Sequence, residues 1–140
     1  MNAAREFVAL SHMALDGLRV LWPVSALLVG SVAAALMGSI RRRALTWRNL
    51  QWSLTPVVVP LALTTWGTVF RDTGYGGDGR WTWEARALIV LWVAQLPVSA
   101  VAVWRAVPAR LFAVTVSALI AYWSYWACLV AFMSVTNDWL

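Results

Sequence analysis

The chain has 140 residues, 61% of them hydrophobic and 12% charged. Soluble domains are roughly half apolar and a quarter charged, and a chain this short cannot hide so much apolar surface in one core, so a soluble globular domain is excluded. The net charge of +5 comes from eleven arginines and no lysine; set between apolar runs, that excess reads as membrane threading and not as nucleic-acid binding.

Residues 1–19 precede the first apolar run. Phe7, Leu10, Ala14 and Leu18 recur at helical spacing, and His12, Asp16 and Arg19 fall on another face. This pattern predicts an amphipathic N-terminal helix. Three placements are open to it: along the membrane surface, as an extension of the first span, or against a partner. Gly17 and Pro23 mark places for a bend. No cleavable signal is expected, because Glu6, His12 and Asp16 interrupt the stretch where its apolar region would lie.

The first span is predicted over residues 20–40 and stops at Arg41-Arg42-Arg43. Its length matches the ~30 Å hydrocarbon core at ~1.5 Å per residue. Gly30, Ala34 and Gly38 repeat every four residues and are expected to form a close helix-packing face. A polar connection follows over residues 41–53, flanked by Trp47 and Trp52 at headgroup level. The second span, 54–70, carries Pro56 and Pro60 and should start irregularly. Thr64, Thr65 and Thr68 are expected to bond to carbonyls one turn earlier.

The connection 71–86 contains Gly74, Gly76, Gly77 and Gly79. Its stretch Thr73-Gly74-Tyr75-Gly76-Gly77-Asp78 resembles the potassium-channel filter, whose family pattern is Thr-Val-Gly-Tyr-Gly-Asp and whose carbonyls replace an ion's hydration shell. The valine is missing here and an extra glycine precedes the aspartate. A pore built this way would also set Arg41–Arg43 on the outer side, against the charge rule. The connection is therefore read as a glycine turn.

The third span, 87–107, has a polar, kinked middle at Gln95, Pro97 and Ser99. A short turn with Pro108 and Arg110 makes it an antiparallel neighbour of the fourth span, 111–135. Tyr122, Trp123, Tyr125 and Trp126 lie in the middle of that last span, away from an interface. They are expected to face other helices, another subunit, a lipid or a pigment.

Charge then sets the threading. Arg41, Arg42, Arg43, Arg48, Arg105 and Arg110 fall in the first and third connections, which hold no acid. All acids fall in the remaining segments. The positive-inside rule puts those six arginines in the cytoplasm and both termini on the outer side of a bacterial inner membrane.

The residue inventory restricts the chemistry. A single histidine and a single cysteine, Cys128, give no bis-histidine haem, no zinc or copper ligand set and no thiol pair. None of the acids lies within a predicted span, and no charged group lies at mid-membrane, where an ion-coupled carrier would need one. His12 with Asp16 and Arg19 is the one compact polar constellation outside the connections. His12 is offered for a ligand or pigment; a solvated face or a partner contact is the plainer reading. A lipid-modifying enzyme could draw on Asp72, Asp78, Glu84 and His12, without any spacing that favours it.

The expected fold is an all-α, integral membrane, four-helix transmembrane bundle (one domain, 20–140) with an N-terminal amphipathic extension (1–19). No catalytic residue, metal or cofactor is expected, and a bound lipid or pigment stays open. The expected role is a non-catalytic accessory or scaffolding subunit, partnered by membrane lipids and by larger subunits or copies of itself. The alternative is a homo-oligomeric channel or small-solute transporter.

Overall fold

The structure, a computed structural model, describes residues 3–73 and 82–137. Every regular element among them is helical: α1 (Ala3–Val20), α2 (Trp22–Arg41), α3 (Trp47–Leu54), a 3-10 turn (Thr55–Val57), α4 (Val58–Val69), α5 (Trp83–Val93), α6 (Gln95–Arg105) and α7 (Arg110–Thr136). Three stretches are long and apolar enough to cross a membrane: Trp22–Arg41, Trp83–Arg105 and Arg110–Thr136. The protein is all-helical, with the character of a multi-pass membrane protein.

The unbroken α7 is the axis, and each of the other six helices packs against it. Those six form three arms, each broken once. The first breaks at Leu21, where Pro23 opens α2 in its first turn. Ser25 Oγ donates across this break to the Leu18 carbonyl, so a freed helix end is satisfied. The second breaks at Thr55–Val57, where Pro56 is buried. The third breaks at Ala94, and Pro97 follows in the first turn of α6. Proline has no N–H and crowds the preceding turn, so a break just before it is the unstrained solution.

The breaks divide the core into two stacked clusters. Leu10 and Ala14 of α1 meet Leu63 of α4, Leu88 of α5, and Ala127 and Ala131 of α7 in one. Ala35 of α2, Ala44, Ala109, Phe112, Val116 and Ile120 make the other, with Leu50 of α3 and Val57 against it. On α7 the clusters meet between Ile120 and Ala127. That waist is where Tyr122, Trp123, Tyr125 and Trp126 stand.

Three expectations need correction. Residues 47–53 are not a polar connection but the body of α3. Thr46 caps it by accepting from the Asn49 N–H (3.3 Å), and Asn49 is 1% exposed with its Nδ2 donating to the Ala44 carbonyl (2.9 Å). The second arm thus runs from Trp47 to Val69, and α4 alone is too short to cross a bilayer. Gly17 is not a bend. It lies inside α1, where an added Cβ would sit 2.5 Å from the Trp126 ring, so it is a packing glycine. The face of Gly30, Ala34 and Gly38 is open among the described residues, with nothing within 4 Å of a Cβ built on Gly30 or Gly38, so a helix packed on it would come from outside them. Finally, Asp16 and Arg19 do not lie at the end of α7 where Glu6 pairs with Arg71, since Gly17 beside them meets Trp126.

Candidate functional site

At the waist, buried polar side chains join two helices. Gln95 opens α6, and the Ala94 break turns its side chain onto α7. Ser124 Oγ donates to Gln95 Oε1 (2.9 Å), and Gln95 Nε2 donates to Ser99 Oγ (3.0 Å). Gln95 is 3% exposed and Ser124 fully buried. The polar middle foreseen at Gln95 and Ser99 is therefore a brace between α6 and α7, completed by Ser124. The hydroxyls of Thr64, Thr65 and Thr68 donate to carbonyls four residues back (2.8–2.9 Å), as anticipated. These groups are engaged with the chain itself.

The aromatic quartet splits. Trp126 lies on Gly17 of α1 and takes edge contacts from Tyr122 and Tyr125 at 6.4 and 5.5 Å between centroids. Trp123 and Trp126 pack against the upper cluster. Tyr125 instead faces out, into a groove with Trp92, Leu129, Phe132 and Met133. The Tyr122 hydroxyl and the Trp123 and Trp126 indole nitrogens are buried without a hydrogen-bond partner among the described residues. Each is a donor, so the waist offers hydrogen bonds to an acceptor such as a trapped water.

α1 carries charge to this depth. At its upper end Glu6 pairs with Arg71 just past α4 (2.9 Å). At its lower end Gly17 meets Trp126, ten residues short of the α7 terminus at Thr136. At ~1.5 Å per residue, that is ~15 Å down α7. Asp16 and Arg19 flank Gly17, pair with each other (3.0 Å), and are 63% and 86% exposed. His12 is exposed on the same face, beside a shallow pocket with Phe7, Val8, Ser11 and Leu15. Helical spacing placed these three on one face; their depth along α7 had no signal in the sequence.

The two ends differ. At the upper end, Ser134 Oγ donates to the Gly67 carbonyl (3.0 Å), and Trp66 Nε1 donates to the Glu84 carbonyl (3.0 Å). Thr82 Oγ1 donates to the Thr73 carbonyl (2.9 Å), tying the ends of the glycine connection. The glycines themselves, 74–79, lie outside the described residues. The lower end collects all six arginines of the first and third connections. Arg105 stands over the rings of Trp52 (5.5 Å) and Trp104 (5.4 Å). The α2 terminus turns through Arg43, whose φ is 49°, so that Ala44 N–H reaches the Ser39 carbonyl (2.9 Å) and Ala44 packs with Ala109.

Among the described residues no three His, Cys, Asp or Glu side chains come together. Comparison with protein families, curated proteins and solved structures finds no match for this chain.

Proposed function

We propose that this chain is a non-catalytic accessory or scaffolding subunit of a larger membrane complex, of respiratory, photosynthetic, secretory or transport type, in a bacterial inner membrane. In this reading α2, the α3–α4 arm, the α5–α6 arm and α7 form a four-span bundle. α1 is an amphipathic extension laid against its outer half. The six arginines of the lower end face the cytoplasm and both termini face outward.

One observation carries the reading. Asp16 and Arg19 form an ion pair on the outer surface of α1, alongside the middle of α7. Charged side chains set beside apolar spans face protein or water when they persist. Among the described residues nothing covers the pair. A polar helix of a neighbouring subunit would.

Purification in native lipid tests this. Larger subunits should come along in fixed ratio, and the paired change Asp16→Ala with Arg19→Ala should release them while the chain stays helical and monodisperse. A wild-type protein that isolates as a lone homo-oligomer would sink the reading. The second reading, a homo-oligomeric channel or carrier, draws on the three breaks at one depth, since discontinuous helices line transport sites. Solute or ion flux through liposomes holding only this chain would establish it.

A further inference from the structure

A groove runs between α2 and the start of α7 at the lower end of the molecule, with a volume of about 350 Å³. Ala34, Ala35 and Gly38 form one wall, and Ala109, Leu111 and Thr115 form the other; Arg42 stands at its lower mouth. Thr115 Oγ1 donates to the Phe112 carbonyl (3.0 Å) and Ser31 Oγ to the Leu27 carbonyl (2.8 Å), so the hydroxyls are engaged and the walls present mainly hydrocarbon. The groove is open, because nothing approaches within 4 Å of a Cβ on Gly38.

The mouth is cationic and uncompensated. Arg41 and Arg43 flank Arg42 in the chain. No acid occurs between Asp16 and Asp72, or between Glu84 and Asp138. The α2 terminus is held in place by Arg42 N–H to the Gly38 carbonyl (3.1 Å) and Ala44 N–H to the Ser39 carbonyl (2.9 Å).

We propose that this groove binds one anionic glycerophospholipid, an acyl chain along the α2–α7 wall and the phosphate on Arg42. An apolar slot ending in a guanidinium matches the two halves of such a lipid, and a guanidinium bonds phosphate in a fork that an ammonium cannot. The inference needs only the membrane setting of α2 and α7. It stands or falls separately from the accessory-subunit reading.

Native mass spectrometry of the purified full chain tests it, with phosphatidylglycerol and phosphatidylcholine of equal chain length as probes. The wild type should retain one phosphatidylglycerol with about a fivefold preference over phosphatidylcholine. Arg42→Gln should reduce that preference to near unity, whereas Arg48→Gln, away from the groove, should leave it intact. Gly38→Leu stands in open space on a helix that tolerates leucine better than glycine, so it should fold and lose both lipids. Equal retention of the two lipids by the wild type overturns the proposal. So does a preference that survives Arg42→Gln, or displacement of the lipid by inorganic phosphate. A Gly38→Leu chain that keeps its lipid but breaks a dimer would show that the occupant is a second copy.

Discussion

The four helical glycines fall into two classes that look the same in the sequence. At Gly17 and Gly67 a Cβ would lie 2.5 Å from the Trp126 ring and 2.8 Å from the Ala131 backbone. At Gly30 and Gly38 it meets open space. Gly17→Ala and Gly67→Ala should each destabilise by ~1–3 kcal/mol, the usual range for overpacking. Gly67→Ala should be the worse, because its neighbour is backbone and cannot rotate away. Gly30→Ala and Gly38→Ala should be neutral or stabilising by up to ~1 kcal/mol through helix propensity. Reversible unfolding in mixed micelles measures all four, and equal losses at every site would contradict the assignment.

A side-chain hydrogen bond at a break can hold an arm to α7. The strongest candidate is Gln95, whose two amide ends serve Ser124 and Ser99. In apolar surroundings such a group is costly to orphan, yet measured couplings between membrane helices average only ~0.6 kcal/mol. A double-mutant cycle of Gln95→Ala and Ser124→Ala should return a coupling near that value. A coupling indistinguishable from zero would mean that Pro97 and packing alone set the α5–α6 bend. The first arm has no such brace at its break. Its α1 is fixed by Gly17 against Trp126 and by Glu6 to Arg71.

The described charges are polarised, with six arginines toward the α2–α3 and α6–α7 junctions and Glu6, Asp72 and Glu84 toward the other end. In a Cys128→Ala background, Arg42→Cys should be shielded from an impermeant reagent added to intact cells, and Gly77→Cys should react. The reverse labelling would invert the threading. The polarity also bears on assembly. The exposed Asp16–Arg19 pair and the open α2–α7 groove lie on surfaces that the described residues leave uncovered, and these are where the proposed protein neighbour and the proposed lipid would sit.

Much of this architecture was legible in the residues. Long apolar runs, proline positions and arginine stops are local signals, because bilayer thickness, missing N–H groups and charge partition act on short stretches independently. They located α2, α5–α6 and α7, and the face shared by His12, Asp16 and Arg19. The polar look of residues 47–53 misled, because Asn49 Nδ2 donates to the Ala44 carbonyl and Ser53 Oγ to the Asn49 carbonyl, so both side chains turn inward. Which glycine is packed, how deep α1 runs, and that Gln95 finds Ser124 were decided only in three dimensions. Each depends on what a distant helix brings to the same point, and no period or composition along one chain encodes that.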